Sequence, residues 1–307
     1  MIALRGSGPL RLGGSMAVSV AGAESNVAIG LARLGHRVRW AGAVGADEAG
    51  ELVLRTLRAE GVDVSGAVRD PAAPTGLMLA EPRLPELTRV HYYRAGSAGS
   101  RITSCAVEAA FTAAPPRVLH LTGITPALSR SARDAAALAL RLAAEHSALV
   151  CLDVNHRSRL WEAREAAEVM RAWAPFVDVL IASDDELPLC LPEGGATDPE
   201  VQAKELRELG VGEVVVKLGA AGATSYTDEG AVHMPARSVR AVDTVGAGDA
   251  FVAGWLSAFL DGADPVGRLD RAVTTGAFAV ASHGDWEGAP NRAELGLLSA
   301  PAGTVVR

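Results

Sequence analysis

The chain runs to 307 residues, enough for one large domain or two small ones. Hydrophobic residues make up 49% of it, which allows a sizeable core and excludes a disordered chain. Twenty-nine basic against 36 acidic residues give a net charge of -7, so nucleic acid is excluded as the main partner, while local charge can still hold an anionic ligand. In chain order, Val27, Ala28, Leu31 and Leu34 recur at helical spacing within residues 24–34, and Gly35 stops the run. Residues 38–44 read as a strand, and residues 49–60 as a helix ended by Gly61. Val118-Leu119-His120-Leu121 is a short apolar strand, followed by a helix over 129–145 and a strand over 149–154. A charged helix near 165–173, a strand at 177–182, a helix near 199–209 and a strand at 214–218 complete the pattern. Strands that are apolar throughout and alternate with helices predict an α/β fold, a parallel sheet covered on both faces. Ligands of such sheets gather at the carboxyl ends of the strands.

Residues 66–95 break this rhythm. Pro71, Pro74, Pro82 and Pro85 exclude a long helix, and 76–80 and 88–94 read as two short strands joined by a polar loop. Residues 9–21, with Leu10, Leu12, Val18 and Val20, have the same character. Together they predict a small sheet beside the main layer, serving either as a lid or as a solvent-facing hairpin. Cys105, Cys151 and Cys190 are odd in number and far apart, which implies buried reduced thiols rather than a disulfide framework or a zinc site. The seven histidines show no H-x-x-x-H spacing, and His120 on its apolar strand reads as a satisfied core residue. The start of the chain has no apolar core long enough for a signal peptide, and the Ala-rich run at 135–142 is interrupted by Arg141 and too short to span a bilayer. A cytoplasmic location without a membrane partner is the expectation.

The chemistry centres on Asp243-Thr244-Val245-Gly246-Ala247-Gly248-Asp249-Ala250-Phe251, with an apolar run continuing to Leu256. This reads as a turn opening straight into a buried helix. Gly246 and Gly248 can take backbone angles closed to other residues, so their N–H groups can face outward at the positive end of the helix and seat an anion. Asp249 sits on the lip of that seat, where a carboxylate makes sense if it takes a proton from a hydroxyl attacking phosphorus. Taken alone, the same letters also fit an ordinary glycine-rich turn with an acidic first helical turn. Two further stretches leave a similar choice. Lys217-Leu218-Gly219-Ala220-Ala221-Gly222 lets a backbone approach a nucleotide or simply turns between two strands. Ser183-Asp184-Asp185-Glu186 either arranges water around a metal or caps a helix.

The D-T-x-G-A-G-D-A-F run resembles the signature of ribokinase-type (PfkB-type) sugar kinases. That resemblance implies a ribokinase-like three-layer sandwich with a mostly parallel central sheet and a small β-sheet lid. It divides the chain into a core of residues 22–65 and 96–307 and a lid of residues 1–21 and 66–95. It makes Asp249 the catalytic base and Gly246, Ala247 and Gly248 the anion hole. It places Asn155, Lys217, Gly219, Gly222, Gly246 and Gly248 at ATP, and Glu186 near magnesium through water. A monovalent cation such as potassium is implied near Asp243. Relatives pair through their lids, which implies a homo-oligomer.

Three runs narrow the resemblance to 2-keto-3-deoxygluconate kinases. They are Asp153-Val154-Asn155-His156-Arg157-Ser158-Arg159-Leu160-Trp161, the stretch from His91 to Ser100 that includes Tyr92-Tyr93-Arg94, and Ser282-His283-Gly284-Asp285-Trp286-Glu287-Gly288-Ala289-Pro290. The likeness implies that Gly22, Asn26, Tyr92, Arg94, Arg157 and Asp285 meet the sugar. The residues agree with an acid sugar: two-residue spacing puts Tyr92 and Arg94 on one strand face with Tyr93 on the other, and an Arg fork suits a carboxylate. Arg94 and Arg157 as plain surface residues is the competing reading. The chain departs from the family in three places. The part matching its first residues usually follows a strand and a G-E or G-D pair, Met78 stands where relatives often have Tyr, and Ser183 where they often have Asn. The implied reaction is ATP-dependent phosphorylation of the terminal hydroxyl of 2-keto-3-deoxygluconate. The alternatives are a kinase for fructose or 2-keto-3-deoxygalactonate and a sugar-binding regulator without turnover. A dinucleotide dehydrogenase is disfavoured, because no G-x-G-x-x-G follows an early strand.

Overall fold

A computed structural model describes residues 1–84 and 87–299. Pro85, one of the prolines expected to break residues 66–95, lies outside the described residues. The chain opens with β1 (Ile2–Gly6), β2 (Met16–Val20), α1 (Ala23–Arg33), β3 (Ala43–Gly45) and α2 (Glu48–Ala59). Then come β4 (Val68–Asp70), β5 (Leu77–Leu84), β6 (Leu87–Tyr93), α3 (Ser104–Ala113), β7 (Val118–Thr122), α4 (Ile124–Leu128) and α5 (Arg130–Glu145). The remainder is β8 (Leu149–Asp153), α6 (Ala163–Trp173), β9 (Val179–Ser183), α7 (Pro199–Glu208), β10 (Glu213–Lys217), β11 (Ala223–Thr227), β12 (Gly230–Met234), α8 (Ala247–Leu260) and α9 (Pro265–Val280). Helix starts follow local chemistry. Asp47, Ser129 and Asp264 each accept the N–H three residues on, and Pro199 and Pro265 sit in the first turn, where a missing N–H costs nothing.

The central sheet has the order β12-β11-β10-β9-β8-β7, with β7 to β10 parallel and β11 and β12 added antiparallel. Strand alternation builds three layers around it. Leu152, Leu180, Val214 and Val216 face Ala139, Met170 and Leu206 of α5, α6 and α7. Cys151, Val179, Ile181 and Val215 face Val27, Phe251, Trp255 and Leu269 of α1, α8 and α9. Because α8 packs against α1 and α9 as well as the sheet, every residue from Asp249 to Ala258 is buried, which explains why its sequence is apolar all round.

A second sheet has the order β2-β1-β5-β6, with β1 and β5 parallel and the outer pairs antiparallel. Ala3, Met78, Ala80 and Val90 cluster on one face, while Ile2, Val20 and Leu77 pack with Val53, Leu54 and Leu57 of α2 on the other.

Three expectations change in detail. Residues 9–15 form no strand; Gly13 turns the chain with φ 71°, Leu10 and Leu12 are exposed, and only Met16–Val20 joins the small sheet. Val68–Asp70, expected in the lid, pairs with β3 instead. The strand expected over 38–44 shrinks to β3 plus an isolated bridge at Arg39. It is paired on one side only: Trp40 N donates to Asp63 O, and Val68 N to Gly42 O. Its other edge faces β7 across a cavity of about 960 Å³ and has no ladder there among the described residues, so the run does not hold as one continuous strand.

Candidate active site

The carboxyl ends of β8 and β10 meet the N-termini of α1 and α8 at one cleft. Gly246 is the N-cap of α8 in the left-handed conformation, φ 76° and ψ -5°. A Cβ at Gly246 would also overlap the Asp285 carbonyl, so conformation and close approach both demand glycine there. No side chain caps α8, which leaves its first N–H groups for a ligand at the positive end of the helix. Asp249, in that first turn, is 8% exposed, and its Oδ2 accepts from Asn26 Nδ2 of α1 at 2.7 Å. Burial pushes the Asp249 carboxyl up from its usual 3.8 to about 7. The Asn26 bond opposes that rise, Asp153 adds to it, and Arg157 and Lys217 pull it back. A carboxyl poised near neutral pH suits proton abstraction.

Asp153 ends β8 and is 1% exposed; Lys217 ends β10. Lys217 Nζ donates to Asp153 Oδ1 at 2.7 Å, and Asn155 Nδ2 donates to Asp153 Oδ2 at 3.1 Å. Burial by itself would lower the Lys217 pKa, but Asp153 and Glu186 outweigh it and hold the ammonium above its usual range. That ammonium lies 3.8 Å from where a Gly248 Cβ would stand, so a fixed positive charge lies beside the uncapped start of α8. Residues 217–222 turn the chain from β10 into β11, with Gly219–Ala221 as one turn of 3₁₀ helix. Gly222, with φ 104°, is required by packing, since a Cβ would overlap the Met234 carbonyl, while Gly219 borders open space. Glu186 has both carboxylate oxygens on backbone amides, accepting from His156 N at 2.7 Å and Ser183 N at 2.9 Å. It therefore ties the loop after β8 to the end of β9. Among the described residues no group of three or more His, Cys, Asp or Glu could hold a metal ion.

On the other side of Asp249, Gly22 starts α1, again with no side-chain cap, and its carbonyl accepts from Ser25 Oγ and Asn26 N, both at 2.8 Å. β6 stops at Tyr93, one residue short of the expected strand, but Arg94 just beyond it still turns to the side of Tyr92: its guanidinium carbon lies 4.4 Å over the Tyr92 ring, whereas Tyr93 is 62% exposed. Burial lowers the Arg94 pKa, and Arg94 Nε is buried without a hydrogen-bond partner. Arg157 is exposed, and its charge acts on both Arg94 and Asp249. Met78, directly across from Tyr92 on β5, is buried and offers no hydroxyl. His120 lines the large cavity, and burial lowers its pKa and keeps it neutral.

Asp285 is buried, with Oδ1 accepting from Arg5 Nη2 of β1. Asp243 Oδ1 accepts from Val245 N at 3.1 Å, and its Oδ2 meets Arg5 Nη1 at 3.4 Å. Arg5 is thus a residue of this site that the sequence did not reveal. Glu24 is another; its Oε1 accepts from Thr122 Oγ1 and Thr125 Oγ1, both at 2.7 Å.

An uncapped helix start abutting a buried carboxyl, at the carboxyl ends of a parallel sheet, offers the kinds of group that phosphoryl transfer to a hydroxyl requires, and so fold and site fit a kinase of small molecules. The chain belongs to the pfkB family of carbohydrate kinases, whose pattern it matches over residues 4–292. It is 38% identical to 2-dehydro-3-deoxygluconokinase of Thermoproteus tenax, over 94% of this chain and 87% of that one. It is 36% identical to the protein of the same name from Bacillus subtilis (strain 168), over 93% and 88%. The crystal structure of a PfkB protein from Polaromonas sp. JS666 superposes with a TM-score of 0.85 at 35% identity, covering 96% of each chain.

Proposed function

We propose that this chain transfers the terminal phosphoryl group of ATP to the terminal hydroxyl of 2-keto-3-deoxygluconate (2-dehydro-3-deoxygluconate), giving the 6-phosphate, with Asp249 as the base. The observation that carries this reading is the buried Asp249, with its pKa near 7, in the uncapped first turn of α8. In this reading Asp249 takes the hydroxyl proton, while the N–H groups from Gly246 to Gly248 and the Lys217 ammonium hold the transferring charge. Asn26 keeps the Asp249 carboxylate oriented through its 2.7 Å bond. Magnesium, when bound with ATP, neutralises phosphate charge. With no three-ligand cluster among the described residues and both Glu186 oxygens already on amides, the metal would come in on the nucleotide, with Glu186 reaching it only through water. Asn155, Lys217, Gly219 and Gly222 border the nucleotide side.

The acid-sugar assignment rests on Arg94. A half-buried guanidinium whose Nε is buried and unpartnered, stacked on Tyr92 and backed by Arg157, fits a carboxylate. Gly22, Asn26 and Asp285 complete the sugar side, and the names of the two curated relatives agree. In this reading β1, β2, β5 and β6 form the lid, and β4 stays with the core. The outer lid face, which carries exposed Val18 and Tyr93, pairs two copies of the chain in the cytoplasm. Buried Met78 leaves discrimination of the C4 epimers to other groups, so 2-keto-3-deoxygalactonate is the second substrate to test. The test is Asp249→Asn in an ADP-release assay. Turnover should fall by about 10²–10⁴-fold or more with ATP and sugar binding retained. Near-normal turnover in the folded variant removes Asp249 from the mechanism.

A further inference from the structure

We propose that Arg5 supplies, from the small sheet, the positive charge beside the Gly246–Asp249 turn that a bound monovalent cation would otherwise supply. The inference rests on phosphoryl transfer at that turn. Asp243 opens the turn, and one of its oxygens shapes it by accepting from Val245 N at 3.1 Å. Asp285 abuts the turn from the other side, its carbonyl against Gly246. Two carboxylates therefore flank a seat meant for an anion, and left alone they would weaken it. Arg5 lies between them, with Nη2 on Asp285 and Nη1 3.4 Å from Asp243. The cluster is well shielded, with side chains 19% exposed for Arg5, 18% for Asp243 and 7% for Asp285.

Asp243 does not fit a cation site in this arrangement. One oxygen already serves the turn, and a metal ion at the other would stand against a guanidinium. The fixed charge comes from β1, at the centre of the four-stranded sheet. The charge balance of the anion seat therefore depends on that sheet being closed over the core, and Arg5 acts as a positioning residue for the turn rather than as a group that touches substrate.

The experiment compares wild type, Arg5→Lys and Arg5→Met in potassium chloride and in tetramethylammonium chloride at equal ionic strength, reading ADP release and, without substrate, Tm. Wild type and Arg5→Lys should respond alike to both salts. In tetramethylammonium, Arg5→Met should lose at least about tenfold in kcat, and potassium should restore part of that loss while raising only this variant's Tm. The proposal is overturned if potassium raises wild-type turnover or Tm as much as it does in Arg5→Met, or if Arg5→Met shows no potassium response in either readout. Should Arg5→Met fail to fold, Arg5→Gln carries the same comparison, and a potassium response of the wild type alone overturns the proposal. The Tm arm needs no sugar, so it decides the matter even if the sugar assignment fails.

Discussion

Replacing Asp249 by Asn should make the protein more stable while removing its turnover, and the gain should depend on pH. The folded carboxyl keeps its proton up to about pH 7, because burial raises its pKa, whereas in the unfolded chain it ionises near 3.8. Between those values the folded state binds more protons than the unfolded one, so this group's contribution to stability falls as pH rises. Below about pH 4 both states are protonated and the contribution vanishes. Above pH 7 the charged carboxylate is buried at a cost of at most about 4 kcal/mol, taking 1.36 kcal/mol for each tenfold change in proton affinity. Asn is neutral at every pH and can still accept from Asn26 Nδ2 through its own oxygen. Allowing for local relaxation, the gain should be about 1–3 kcal/mol, or roughly 2–6 °C in Tm for a chain of this size. Differential scanning fluorimetry of both proteins from pH 4 to 8.5 measures it. The difference in Tm should be near zero at pH 4 and reach its plateau above pH 7. A variant that is no more stable than wild type at pH 8, or a difference that does not change with pH, refutes the idea that the structure holds Asp249 against its own ionisation.

The same carboxyl predicts that kcat/KM of the wild type falls on the acid side with an apparent pKa of about 7, read from initial rates at saturating ATP. Arg94→Ala should lower kcat/KM for 2-keto-3-deoxygluconate by about one to three decades and hurt residual activity on fructose or ribose much less, because only the acid sugar leaves a charge unpaired; an equal loss on both makes Arg94 a structural residue. Gly246→Ala, which adds both a strained positive φ and an overlap with the Asp285 carbonyl, should lower Tm and turnover together, and an active, stable alanine variant counts against the anion seat. Hydrogen exchange in residues 2–20 and 77–93 should slow when sugar and nucleotide are bound, and unchanged exchange at saturation counts against a closing lid.

The three-layer core was legible because parallel strands buried on both faces are apolar without interruption, as in Val214-Val215-Val216 and Leu149-Val150-Cys151-Leu152. The hairpin of β11 and β12 was not, because β11 buries the polar Thr224 and Ser225, Ser225 by bonding Glu213 rather than by being apolar, and β12 is short, with half-buried Val232 and Met234 on either side of exposed His233. Helix α9 hid behind Pro265, Thr274, Thr275 and Gly276; its two threonines satisfy themselves on carbonyls one turn back. In the site, the Gly246–Asp249 turn and the Tyr92 and Arg94 pair were readable from local spacing. Arg5 was not: a lone Arg at the end of a short apolar run gives no local signal, and its partners lie 238 and 280 residues away. Met78 and Ser183 stand as departures whose local surroundings are now plain, one filling the space across from Tyr92 and the other donating its N–H to Glu186.

With Arg94 at its substrate, this chain should phosphorylate an acid sugar in preference to a neutral one. ADP release measured with 2-keto-3-deoxygluconate, 2-keto-3-deoxygalactonate, fructose and ribose, each with ATP and magnesium, tests it most directly. The highest kcat/KM should fall on 2-keto-3-deoxygluconate, with both neutral sugars lower by at least about tenfold. A neutral sugar turned over best, or no ADP released with any of the four, contradicts it.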